Sequence, residues 1–420
     1  MSFARGAFRV SATLRDKSAL EGILKKRPDD VVFTTALRTP VARMKKGYKD
    51  AYPEELLAFV LQRTRERLEN KGVSIDAIED ICTGTVLMEL GGAKSGRLAA
   101  LHAGMPITSA YSTVNRQCAS SLQSITNIAQ SIQTGQIAVG IAAGVESMTR
   151  DWGTRAIPVK LSPAMAQSPN QDARDCLMSM GLTSENVAAQ WKIGRDEQDE
   201  FAATSQQRAA AAQEDGRLAQ EIEPIEVRWM DDAGNETTRL VEKDEGVRKG
   251  TTKETLAKLK PAFKEDGTST AGNSSQVSDG AVALTMARRD VAEKLGMEIL
   301  GKWVGTSTIG VKPDIMGVGP AYASPKLLNR FGLDAKEIDL WEINEAFASQ
   351  VLMTMGHLGI SHDQVNVKGG AIALGHPLGA SGGRLVTSLL SELRRTGKQT
   401  GVATLCCGTG YGKASLIVAE

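Results

Sequence analysis

The sequence predicts an α/β protein made of two copies of one helix-flanked sheet unit, with a loop-like unit inserted into the first copy. Three observations predict it. Short apolar runs such as "IAVGIAAGV" (137–145) alternate with stretches whose apolar residues recur at helical spacing, the pattern of strands buried between helices. A helix, a Thr-Gly turn and an apolar strand occur twice, at Thr134-Gly135 before "IAVGIAAGVES" and at Thr396-Gly397 before "TGVATLCC". Residues 151–270 have a different texture, rich in charge and glutamine ("GRDEQDEFAATSQQRAAAAQEDGRLAQE").

Taken in order, residues 1–28 form a basic leader with Arg5, Arg9, Arg15 and Lys17 and no acid before Asp16, suited to a targeting segment, a mobile arm or both. "RPDDVVFTTALRTP" then starts a first strand, and "SIDAIEDICTGTVL" (74–87) leads to a helix carrying Leu122, Ile125, Ile128, Ala129 and Ile132. These belong to a first core of 29–150 plus 271–297. The insert, 151–270, holds one helix-like stretch and a polar, turn-rich stretch near "DDAGNETT". The second core, 298–420, repeats the plan: "LDAKEIDLWEINEAF" (333–347) precedes a helix carrying Leu385, Val386, Leu389, Leu390 and Leu393. The period is too long for a solenoid. Two such halves packed face to face bring their helix mouths to a shared cleft.

Composition removes several function classes. The 420 residues carry 50 Lys plus Arg against 49 Asp plus Glu, so a net charge of +1 gives no reason for a nucleic-acid partner or a membrane surface. No apolar run approaches the roughly 18 residues of a spanning helix. Cysteines 82, 118, 176, 406 and 407 are odd in number, scattered and without C-x-x-C spacing, which fits a reducing compartment and no metal site.

Chemistry gathers at four places. Cys118 in "VNRQCASSLQSI" stands at a helix mouth among Ala119, Ser120 and Ser121, where the helix dipole is expected to lower a thiol pKa and the small neighbours admit a substrate. His376, one of four histidines, lies in "GHPLGASGG" (375–383), whose glycines are expected to leave the imidazole unpacked and available as a base. His102, His357 and His362 have ordinary contexts and no assigned role. In "LCCGTGYG" (405–412), alternation along a strand lets only one of Cys406 and Cys407 face a cleft. The run is no dinucleotide fingerprint, because "KASLIVAE" follows as a strand, and the 375–383 run lacks the Lys-Ser/Thr of a phosphate loop. Both glycine runs are expected to bring backbone N–H groups to an oxyanion. Asn344 of "NEAF" leaves the strand "IDLWEI" either as a helix cap or as a group that holds a water against an oxyanion.

Together "NRQCAS", "NEAF", "GHPLGASGG" and "CCGTGYG" resemble the thiolase family in order and spacing, with "GVESMT", "MGLTSENVA", "LAKLKPAF" and "AGNSSQVSDGA" between them, from about residue 29 to the C-terminus. "WEINEAFASQ" and "GGAIALGHPLG" are most similar to the peroxisomal-type 3-ketoacyl-CoA branch. The resemblance implies a five-layered α-β-α-β-α fold, thiolytic cleavage of 3-ketoacyl-CoA in fatty acid β-oxidation, no bound cofactor, coenzyme A as substrate and a homodimer. It gives Cys118 as nucleophile, His376 as base, Cys406 as the acid/base for the acetyl-CoA enolate, Asn344 as the holder of an oxyanion water, and the N–H groups of Cys118 and Gly408 as a second oxyanion hole. Arg248 and Ser275 match coenzyme A contacts, Met180 a pocket-lining methionine, and Thr255 a position where relatives often carry serine. Cys407 replaces an aliphatic residue. The leader departs too: "RVSATLRDK" has Asp16 where a peroxisomal nonapeptide has His or Gln, and its basic start also suits a mitochondrial transit peptide. The implied compartment is the peroxisome, with the mitochondrial matrix as the alternative.

Overall fold

The computed structural model describes residues 18–158 and 160–420. The strands are β1 (Val31–Arg38), β2 (Ala42–Arg43), β3 (Asp80–Gly84), β4 (Ala110–Val114), β5 (Val139–Ser147), β6 (Ile225–Met230), β7 (Glu236–Val241), β8 (Ser278–Arg288), β9 (Gly301–Gly310), β10 (Leu340–Ile343), β11 (Thr400–Cys407) and β12 (Tyr411–Ala419). The first half runs β4-β3-β5-β8-β1 and the second β10-β11-β12-β9. The halves share their pairing senses: β3–β5 and β10–β11 are parallel, while β5–β8, β8–β1, β11–β12 and β12–β9 are antiparallel. The counterpart of β4 in the second half shrinks to one parallel bridge, Trp341 to Val365. Three antiparallel residue pairs between β1 and β9, from Val31–Trp303 to Phe33–Gly301, join the halves edge to edge.

Alternation along the strands builds the layers. On β5, Ile141 and Ala143 face an outer cluster with Leu56, Leu57, Val60 and Leu61 of helix Pro53–Glu69, while Ala142 faces inward. On β11, Ala403 and Leu405 face inward and Val402 packs outward with Leu327 and Val351. Between the inward faces lie the helices Ser120–Gln133 and Leu378–Thr396, whose Leu122, Ile125, Leu385 and Leu389 are buried in one cluster. Helix, sheet, helix, sheet and helix follow one another, as expected.

The glycines of "GHPLGASGG" serve this packing more than the site, contrary to expectation. A Cβ on Gly379 would stand 2.6 Å from Val145 O, and one on Gly382 would stand 2.5 Å from Leu122 N, so these glycines let the second central helix press on the first half. Only Gly375, at φ +106, needs its freedom for the backbone turn itself.

Residues 1–17 of the expected leader lie outside those described, but Ser18–Leu24 is a helix whose Ala19, Leu20, Ile23 and Leu24 pack on the outer cluster of the second half. The insert holds more helix than its one helix-like stretch, with Met180–Trp191 ahead of Arg195–Glu214. Met180–Trp191 escapes notice because, beside Val187 and Ala188, the residues it buries are Gly181, Thr183, Ser184 and Glu185, which leave no continuous apolar stripe. A buried ionic knot fastens the insert to both cores: Glu221 meets Arg38 of β1 at 2.9 Å and Lys368 at 2.7 Å, and Asp244 meets Arg38 at 2.8 Å.

Candidate active site

Cys118 is delivered by a loop that folds back on itself before the helix begins. Gln117 takes a left-handed φ of 50 and its N–H donates to Asn115 Oδ1 (2.9 Å), while Arg116 N–H donates to Ser120 Oγ (2.9 Å). The helix starts at Ser120 with Ala119 as N-cap, so Cys118 precedes it. Burial pushes the Cys118 thiol up to about 11, a nearby Glu146 adds to the rise, and the N–H groups of Gly408 and of Cys118 itself oppose it. The expected lowering by the helix mouth is therefore overturned, because desolvation outweighs it. The two N–H groups read as an oxyanion hole do converge, on this sulfur.

His376 is 5% exposed, not open as its glycine-rich context suggested. Its Nδ1 lies 2.6 Å from Ser381 Oγ, which also donates to Pro377 O at 3.2 Å; the serine oxygen then accepts Nδ1–H and leaves Nε2 as the basic nitrogen. Burial, with help from the charge of Arg384, pushes the ring down to about 3, so it rests neutral. Cys118 packs against Leu378, two residues beyond the histidine.

Asn344 follows the last residue of β10 and donates its backbone N–H to Thr404 O at 3.0 Å. It caps nothing, since the following helix begins at Ala348 with Phe347 as N-cap. Its Nδ2 stands 3.3 Å from His376 Nε2, and its fully buried Oδ1 has no partner among the described residues. A buried carbonyl oxygen in that state calls for a donor such as water.

The two adjacent cysteines part company as alternation requires. Cys406 clusters with Met180, Met316, Ala346 and Phe347, whereas Cys407 is buried in the central core. Burial drives the Cys406 thiol well above its ordinary range, and the nearby Cys118 and Cys407 drive it further. Gly408 follows, and a Cβ there would stand 3.5 Å from Gln117 Oε1 and 3.7 Å from Met180 Sδ, so the loop of one half and the insert meet over it.

Cys118, Cys406, His376, Asn344, Gly408 and Met180 thus gather at one place. Ser275 sits at its margin, its N–H donating to Ala346 O at 3.0 Å. Arg248 is exposed, its guanidinium lowered in pKa by partial desolvation and by the neighbouring Arg43, and its backbone N–H donates to Gln206 Oε1 at 2.8 Å. Thr255 is exposed too, and its hydroxyl is engaged in the cap of helix Lys253–Ala257, donating to Thr252 O at 2.7 Å. Three further residues belong to the site. Ser381 shares a helix face with the turn that carries His376; Gln350 touches Cys406; and Glu146 is an acid at the end of an otherwise apolar strand, the one sequence signal that could have exposed it.

Two thiols, a neutral imidazole and converging N–H groups drawn from the two duplicated halves define an acyl-transferring α/β enzyme. The models for the N-terminal and C-terminal domains of thiolase match residues 31–290 and 297–419, and the chain belongs to the thiolase family. It is 48% identical to the peroxisomal 3-ketoacyl-CoA thiolase of Yarrowia lipolytica over 96% of each chain, and 48% identical to peroxisomal 3-ketoacyl-CoA thiolase B of Rattus norvegicus over 98% of this chain and 96% of that one. It is also similar to the crystal structure of the dimeric peroxisomal thiolase of Saccharomyces cerevisiae, with TM-score 0.87 and 42% identity over 95% of this chain and 100% of that one.

Proposed function

We propose that the chain is a degradative 3-ketoacyl-CoA thiolase of the peroxisome, an acyltransferase that uses coenzyme A as its second substrate. One observation supports the reading: Cys118 from the first half lies near enough to Cys406 from the second to raise its pKa, and Asn344 Nδ2 stands 3.3 Å from His376 Nε2. Thiolysis breaks a carbon–carbon bond, so it needs a sulfur nucleophile, donors for charge on oxygen and a proton for the leaving carbon.

Burial raises the Cys118 thiol and lowers the His376 ring, so both rest in their neutral forms. Proton transfer from Cys118 to His376 therefore accompanies attack on the 3-keto carbonyl, whose oxygen takes up the negative charge. An S–C bond forms, the bond between the α and β carbons breaks, and the electron pair leaves on the acetyl-CoA enolate. Cys406 gives that carbon its proton and becomes a thiolate. Acetyl-CoA departs, Cys406 takes the proton of incoming coenzyme A, the coenzyme sulfur bonds to the acyl carbon as its bond to Cys118 breaks, and the Cys118 sulfur recovers the proton held by His376. Met180, Met316 and Phe347 line the apolar side for the acyl chain. Arg248 beside Arg43 presents positive charge at the rim for the coenzyme's phosphates.

The test is Cys118→Ser with 3-ketoacyl-CoA and coenzyme A, followed by loss of the magnesium–enolate absorbance. Retained thiolysis overturns the reading; rates confined to acetoacetyl-CoA instead assign the chain to condensation of acetyl-CoA. A homodimer completes the proposal. Among the described residues β4 ends its half-sheet with one edge unpaired, beside a groove of about 1110 Å³ lined by Leu98, Leu101, Ile107 and Tyr111. Leu98 is 63% and Ile107 82% exposed, a surface that a second copy laid on that edge would cover.

A further inference from the structure

Gln350 stands on the first turn of helix Ala348–Leu358, wholly buried, with its amide against both halves of the proton machinery. The orientation in which both amide atoms find partners puts Nε2 2.9 Å from Asn344 O and Oε1 3.0 Å from Val351 N. In that orientation Nε2 is also the amide atom 3.5 Å from Cys406 Sγ. One hydrogen goes to the Asn344 carbonyl, and the second points at sulfur. The packing fixes this placement, since a Cβ on Gly317 would come 2.8 Å from Gln350 Cβ.

We infer that Gln350 is a positioning residue for the second sulfur: its amide N–H stabilises the thiolate that Cys406 becomes on protonating the enolate, and ties that thiolate through Asn344 to His376. The inference rests on the acid/base role proposed above for Cys406. In the step, the Cys406 S–H bond breaks, a C–H bond forms on the enolate carbon, and negative charge passes to a sulfur lodged among Met180, Met316, Ala346 and Phe347. Those neighbours offer it no charge or strong dipole. The Gln350 N–H supplies one, and its bond to sulfur strengthens as the thiolate forms, so it acts on the transition state more than on the resting enzyme.

The experiment compares wild type, Gln350→Leu, Gln350→Glu and Cys406→Ser in three assays on the full-length protein: acetylation of Cys118 by acetyl-CoA, read by intact mass; thiolysis across pH; and deuterium uptake into the acetyl-CoA methyl group in heavy water. Acetylation is plain thioester exchange and needs no acid/base at Cys406, so both Gln350 variants should keep it, which also shows they are folded. Thiolysis and methyl exchange should fall roughly ten- to hundredfold in Gln350→Leu, as for loss of a hydrogen bond to a charged group, and further in Gln350→Glu, which sets a carboxylate by the sulfur. The alkaline limb of the pH profile should move upward in both. Wild-type exchange and an unmoved limb in Gln350→Leu, with Cys406→Ser inactive in exchange, overturn the inference alone. Full exchange in Cys406→Ser overturns the underlying role. Gly317→Ala, which pushes on the Gln350 side chain from outside the site, should reproduce the Gln350→Leu pattern in milder form.

Discussion

The backbone N–H of Gly379 donates to the carboxylate of Glu146 at 2.9 Å, so a residue at the start of the second central helix is hydrogen-bonded to the end of a strand in the first half. The same carboxylate accepts from Val86 N and Leu87 N, each at 3.0 Å. His376 lies three residues from Gly379 and Cys118 lies within the reach of Glu146's charge, so one buried acid holds base and nucleophile in register.

Glu146→Gln replaces one accepting oxygen with an amide nitrogen and leaves N–H groups facing it. Chemical denaturation should show a loss of about 1–3 kcal/mol per orphaned donor. At pH 8 the variant should also alkylate faster at Cys118, because a negative charge that raises the thiol pKa is gone. Unchanged stability together with slower alkylation runs against this account.

In the resting enzyme Cys118 is expected to behave as a sluggish thiol. Its iodoacetamide rate should climb through pH 9 and 10 toward a midpoint near 11 instead of levelling off in the ordinary thiol range. His376→Asn should leave that midpoint nearly unchanged, since the neutral ring makes no ion pair with the sulfur before substrate arrives. A plateau below pH 8 in wild type is the contrary result.

The ionic knot makes its own forecast. Burial alone would raise the Glu221 carboxyl, but the cations of Lys368 and Arg38 outweigh it and hold the group down at about 2. A depressed carboxyl contributes stability above its unfolded value, and that contribution drains away as pH falls from about 4.5 toward 2. Glu221→Gln should cost about 3–5 kcal/mol at neutral pH by stranding Lys368, and should flatten the acid limb of a melting profile over that window. An acid limb identical to wild type contradicts it.

Ile107→Glu with Leu98→Glu places charge on the groove beside β4. Light scattering on the size-exclusion column should find monomer in place of dimer, with β5 and its neighbours intact by circular dichroism. A dimer that survives both changes locates the contact elsewhere.

The duplication and the site motifs were readable because strand and helix periods do not depend on partners. Leu122, Ile125 and Ile128 mark their helix whatever covers it. Cys118, Cys406 and Asn344 stand where the motifs put them, and the alternation rule separated Cys407 from Cys406. The electrostatics were not readable: the Cys118 thiol rises and the His376 ring falls chiefly because folding buries them, and the charges of Glu146 and Arg384 add to each shift. Gln350 and Ser381 escaped for the same reason, since a buried amide or hydroxyl has no spacing signature. The glycines of 375–383 were misread because a close helix–strand approach and an anion loop call for the same residue.

The compartment invites a direct look. Since "RVSATLRDK" carries Asp16 at a critical place, residues 1–17 fused to a fluorescent protein are expected to reach peroxisomes more weakly than an Asp16→Gln version. Equal import by both shows that Asp16 does not weaken the address, and import into mitochondria assigns the leader to that compartment instead.

The most direct measurement is the intact mass of the protein quenched within one turnover of a 3-ketoacyl-CoA, with no free coenzyme A added. The expected result is one shortened acyl group per chain, mapped to Cys118, with an equivalent of acetyl-CoA released and neither product formed by Cys118→Ser or Cys406→Ala. Acetyl-CoA released without a bound acyl group, or an acyl group on any other residue, would contradict the convergence of the two halves on one reaction centre.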